Sequence, residues 1–135
     1  MKALLCLSLF LALSSTFAYS PSWDPISYEA GSLEITDVYS QYNPKAGQEN
    51  YLTICGTAFD PLEVTGYYYQ IGKVNQHPWT SGSVSMSLHT RVPVGKNYCH
   101  LFNYYVPQQA QGAYVVEFTL TSFGNLGGAR IYFDI

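Results

Sequence analysis

Few side chains in this chain could do covalent or metal chemistry. Its only histidines are His77, His89 and His100, and none stands at zinc-site spacing or beside a cysteine that could complete such a site. No metal is expected. His100 falls on the inward parity of its segment, which suits a packed or hydrogen-bonded histidine near a rim. Glu63 and Glu117 read as isolated carboxylates rather than the acid pair of a glycosidase. No serine sits in a nucleophile elbow and no glycine-rich loop opens a helix, so an enzyme is the weakest class and no cofactor is implied.

The cysteines are more informative. Lys2 followed by an apolar run from Ala3 to Leu13 and then Thr16, Phe17 and Ala18 reads as a secretory signal over residues 1–18, with a mature start near Tyr19. Cys6 leaves with it. Cys55 and Cys99 remain, both on the outward parity of strand-like runs, and an oxidising compartment favours a disulfide between them over two free thiols. Closing a loop of roughly 45 residues would contribute on the order of 3 to 4 kcal/mol. A secreted or lumenal location is expected, endosome and lysosome included.

About 117 residues then remain, enough for one domain over residues 19–135. Without Lys2 there are five basic against nine acidic side chains. That balance offers no positive field for phosphates, so nucleic acid is not an expected partner. Thirteen tyrosines with few charges favour strands and amphipathic surfaces over helices.

The elements that must position these residues follow from alternation. Tyr19 to Ser32 reads as an irregular lead-in that Trp23 pins to the body. Leu33 and Ile35 alternate with Glu34 and Thr36 until the phase slips at Asp37 and Val38, which predicts a strand with a bulge. Tyr51 to Phe59 is a second strand, Asp60 to Thr65 a polar loop, and Gly66 opens a third with Tyr67, Tyr69 and Ile71 on one face. Lys73 to Gly82 is a connection holding Trp79. Val84, Met86 and Leu88 alternate with serines as a half-buried strand.

The longest signal lies between Val92 and Leu120. A turn at Pro93 to Gly95 releases Tyr98, His100, Phe102, Tyr104 and Val106 on one parity; after a break at Pro107 to Gly112, Tyr114, Val116, Phe118 and Leu120 share another. A glycine-rich hairpin at Gly124 to Gly128 leads to a last strand with Ile131, Phe133 and Ile135 inward. About seven short strands without a helical pattern predict an all-β, immunoglobulin-like two-sheet antiparallel β-sandwich. Its inward rings either fill the core or line a cavity for an acyl chain. Parity does not choose between the two.

The runs LEVTGYYYQI, VPVGKNYCHLFNYYVPQQAQGAYVVEFTLTSFGNLGG and ARIYFDI, with the NPKAGQ turn at Asn43 to Gln48, carry a further signal. Together they resemble the MD-2-related lipid-recognition (ML) domain, a group that includes secreted sterol carriers and phosphatidylglycerol/phosphatidylinositol transfer proteins. The matching places are Pro93 with Lys96, Val106 and Pro107, Gly112 with Tyr114, Asn125 to Gly128, and Phe133. Trp23 to Tyr28 and the closing strand lack the cysteines that usually tie the family's N-terminal segment to its last strand.

The resemblance implies non-enzymatic lipid binding or transfer. A phospholipid or sterol tail would lie between sheets that part at one edge, in a monomer that makes transient membrane contact. Phe102, Tyr104, Val106, Tyr114, Val116 and Phe118 would form one wall of the cavity. Tyr67, Tyr69, Ile71, Val84 and Met86 would stand opposite. Lys73 and Lys96 are the nearest headgroup candidates, or plain solvated lysines. The alternative is a secreted module with a closed core that binds protein or glycan through outward tyrosines such as Tyr68, Tyr105 and Tyr132.

Overall fold

The computed structural model describes residues 19–28, 31–74, 80–108 and 112–134. The signal segment, His77 and Trp79 lie outside them. Among the described residues there are eight strands: β1 Ser22–Ile26, β2 Leu33–Tyr39, β3 Gln48–Ala58, β4 Leu62–Lys73, β5 Thr80–Val92, β6 Asn97–Val106, β7 Ala113–Thr121 and β8 Asn125–Asp134. All pairing is antiparallel, in a five-stranded sheet of order β1-β8-β7-β4-β5 and a three-stranded sheet of order β2-β3-β6. The expected two-sheet sandwich is therefore present, with one strand more than the sequence suggested.

The extra strand is β1, in the lead-in read from sequence as irregular because of Pro21, Pro25, Gly31 and several serines. It lies at a sheet edge, and there Pro25, opposite Ala129, breaks no inner ladder. Trp23 packs against the core. The slip expected in the first strand is present between Ile35 and Asp37, and it returns Val38 to the interior. The polar loop at Asp60 to Thr65 is corrected: β4 begins at Leu62, and Leu62 and Val64 are buried. Two apolar residues at period two outweigh the polar residues between them.

The single wall expected from the inward residues of β6 and β7 also needs correcting. The two strands belong to different sheets: β6 pairs with β3 while β7 lies between β4 and β8. Phe102, Tyr104 and Val106 thus form one wall, and Tyr114, Val116 and Phe118 share the facing wall with Tyr67, Tyr69 and Ile71. Alternation fixes which face of a strand is inward but says nothing about which sheet holds it. Between the walls the core holds Leu52, Ile54, Ile71, Val106, Val116 and Ile131, each almost wholly buried.

Cys55 and Cys99 are register partners on β3 and β6 and form a disulfide. At the start of β3, the buried Asn50 side chain accepts from Lys45 N at 2.9 Å and donates to the carbonyls of Lys45 and Gln48, which holds the preceding turn. Gly47 in that turn has φ of 76°, a conformation that suits glycine.

Candidate functional site

The two long edges of the sandwich are built differently. At one, β2 lies against β8 and β1, and the backbones touch. Ser32 N donates to Leu126 O at 3.1 Å, while Tyr19 and Ser40 exchange backbone bonds at 2.7 and 2.8 Å. A Cβ on Gly127 would run into the Leu33 carbonyl, so the close approach requires glycine there. At the other edge, among the described residues, β5 pairs only with β4 and β6 only with β3. Here the sheets meet through side chains.

Those side chains are mostly aromatic. Tyr67 and Tyr69 project inward from β4, and Tyr98, His100 and Phe102 from β6. Tyr67 meets the edge of Phe102 at 4.8 Å between ring centroids and lies 5.7 Å from His100. The Tyr98 hydroxyl and His100 Nδ1 are hydrogen-bonded at 2.8 Å. Tyr98 also reaches Thr90 on β5. Opposite Tyr69 stands Gly82, where a Cβ would crowd the Tyr69 hydroxyl at 2.9 Å, so glycine leaves room for the ring.

Tyr67, Tyr69, Tyr98 and His100 are all half-buried, whereas Phe102 behind them is closed off. Burial raises the Tyr67 phenol, with Tyr69 adding to the effect, and raises Tyr98 against a smaller opposing contribution from Thr90. Burial lowers His100 below its ordinary 6.5. Each shift disfavours the charged form, so near neutral pH these rings give the edge a neutral, amphipathic surface. Such a surface suits an apolar ligand with an uncharged polar group.

One residue expected in a wall, Val84, lies elsewhere, and the strand that carries it is not half-buried. Val84 is 37% exposed and Leu88 83% exposed, so β5 is a rim rather than a half-buried strand; Met86 is partly buried against the core. Val84 is exposed because β5 is the edge strand of its sheet, and Leu88 also falls in a slip of the β4–β5 ladder. Thr90 pairs with Val64 and Ser85 with Gly66, which leaves Met86 to His89 bulged opposite Thr65.

The remaining candidates are in the packed interior. Ile71, Val106 and Val116 are fully buried, and Phe102 stacks on Phe118. Tyr104 and Tyr114 bring their hydroxyls toward one another, and burial raises both phenols. Lys73, at the end of β4, and Lys96, in the turn before β6, stand at opposite ends of the sandwich and cannot serve one headgroup.

The outward tyrosines are also divided. Tyr68 and Tyr132 lie on the five-stranded sheet, hydrogen-bonded to Gln70 and Asp24, and Tyr105 lies on the three-stranded one. Nor are the carboxylates isolated: Glu117 pairs with Arg130 at 2.6 Å across β7 and β8, and Glu63 lies 3.4 Å from His89. Among the described residues no group of three or more His, Cys, Asp or Glu is placed to hold a metal ion. Sequence reasoning gave no functional part to Tyr98 and His100. Their shared parity was visible, but their position on the edge strand of the smaller sheet was not.

No protein-family model matches the chain, and no curated protein matches it significantly. Among solved structures, the crystal structure of the C-terminal domain of wzt is similar at a TM-score of 0.62 with 13% identity, over 86% of this chain and 79% of that one. Spo0M, a sporulation control protein from Bacillus subtilis, is similar at 0.45 with 10% identity, over 78% of this chain and half of that one. The first likeness extends to the sandwich fold and no further.

Proposed function

We propose that this protein binds lipid without catalysis, admitting a phospholipid or sterol tail at the β5–β6 edge. The observation that carries this reading is the asymmetry of the sandwich: one edge is laced by backbone hydrogen bonds, and the other is lined by neutral, half-buried rings. A tail would lie on Tyr67, Tyr69, Met86 and the rim residue Val84, with its polar group near Tyr98 and His100. Each methylene removed from water there would contribute roughly 0.8 kcal/mol. Going deeper would require the Phe102–Phe118 stack to part. The Cys55–Cys99 disulfide is consistent with an extracellular or lumenal setting, and the signal-like first residues support secretion.

A second reading is favoured by one feature. Tyr51, Leu101 and Tyr105 are exposed on the outward face of β3 and β6 and could meet a protein or glycan. Native mass spectrometry of the secreted protein, followed by organic extraction, separates the two readings. Sterol or phospholipid at near one per chain is the expected result. An apo mass that is unchanged after incubation with mixed liposomes would overturn the lipid reading in favour of the second.

A further inference from the structure

One end of the sandwich carries three apolar side chains at the tips of separate connections. Phe59 follows β3, Val94 lies in the turn between β5 and β6, and Phe123 lies in the turn between β7 and β8; all three are exposed, Phe123 fully. These turns are not independent of one another. Gly95 N donates to Ala58 O at 2.8 Å, Phe59 N to Ser32 O at 3.0 Å, and Ser32 N to Leu126 O at 3.1 Å, so a relay of backbone bonds ties all three to one platform. Leu88, on the β5 bulge opposite Thr65, projects near the same end.

We infer that this end docks on a phospholipid bilayer, with Phe59, Val94 and Phe123 inserted below the headgroups. Three features favour that occupant. The tips are single side chains set among polar residues such as Asp60, Lys96 and Ser122, whereas a protein interface buries a contiguous apolar centre inside a polar rim. A fluid interface accepts isolated apolar side chains without matching their shape. The charges nearby, Arg91 and Lys96 against Glu34, Asp60 and Glu63, carry no positive excess, so attachment relies on apolar burial and needs no anionic lipid. Finally, Tyr98 begins the ring-lined edge directly after the Val94 turn, which places that edge beside the docked end. The inference extends the lipid reading by naming the surface from which lipid is drawn, but the two can fail separately.

The test is flotation of the secreted protein with vesicles of pure phosphatidylcholine. Wild type should co-float, and a Phe59→Ser, Val94→Ser, Phe123→Ser triple variant should partition about tenfold or more weakly. Tyr51→Ser with Leu101→Ser, on the outward sheet face, should float like wild type. Independently, Phe123→Trp should shift its emission to the blue when vesicles are added.

A wild type that fails to float, a triple variant that floats normally with no shift from Phe123→Trp, or binding that appears only with anionic vesicles would overturn the inference. Lipid retention by native mass spectrometry on the same proteins separates the two ideas. Retained lipid with flotation indifferent to the tips sinks the docking surface alone. Flotation that depends on the tips without retained lipid sinks the lipid reading alone.

Discussion

Phe102 and Phe118 stack across the two sheets with ring centroids 4.1 Å apart and planes within 18°, both side chains buried. They join β6 to β7 through the core even though those strands pair with different neighbours. The stack also separates the half-buried rings of the β5–β6 edge from the closed interior around Tyr104, Tyr114 and Phe133.

Removing either ring should therefore behave as a core truncation. Phe118→Ala or Phe102→Ala is expected to cost about 3 to 5 kcal/mol in denaturant unfolding. A double-mutant cycle between them should show coupling of about 0.5 to 1.5 kcal/mol beyond area burial. A loss well under 2 kcal/mol for Phe118→Ala would mean that the site was never tightly packed.

Val84 offers the opposite test, because it is at the rim. Val84→Asp should change stability by about 0.5 kcal/mol or less, as exposed substitutions usually do. It should nonetheless reduce co-purifying lipid, read by native mass spectrometry, because a charge would stand beside the tail. Unchanged lipid content would move the entry away from β5.

His100 makes stability depend on pH with a definite sign. Burial lowers its folded-state value below the ordinary 6.5, so the unfolded chain takes up a proton first as pH falls. The contribution is complete above about pH 6.5 and is lost progressively below it. Thermal unfolding followed from neutral to mildly acid pH should show the decline, and His100→Gln should flatten it. An equal decline in the variant would assign the effect to other groups.

The disulfide joins residues 44 apart in sequence. Reduction, or Cys55→Ala with Cys99→Ala, is expected to lower unfolding free energy by about 3 to 4 kcal/mol, with the β3–β6 ladder otherwise retained. Guanidinium unfolding with and without reductant measures this. A midpoint that does not move would show that the unfolded chain is not constrained by the link.

Much of the fold was legible because burial imposes period two. Tyr67 to Ile71, Tyr98 to Val106 and Tyr114 to Leu120 alternate as strands facing a core must, and the slip after Ile35 marked a bulge that is present. Sheet membership was not legible, since β6 and β7 carry the same signal whether they pair or face each other. The site was less legible still. Tyr67 and Ile71 share a parity, yet one is half-buried and the other is fully buried. Both are on β4, so what distinguishes them is their position along that strand and what covers it there. Ser83 to Leu88 gave the clearest alternation and proved the most exposed strand, because an edge strand with small polar residues can alternate without a second sheet to cover it.

The bulge at Met86 to His89 has a consequence for how copies of the chain behave toward one another. β5 is the free edge of the larger sheet, and an unbroken row of vacant N–H and C=O groups along its thirteen residues would template a strand from another molecule. The slip divides that row into a stretch at Thr80 to Ser85 and another at Thr90 to Val92. Neither stretch offers the full length of the strand as a template, so the bulge weakens edge-to-edge pairing between copies.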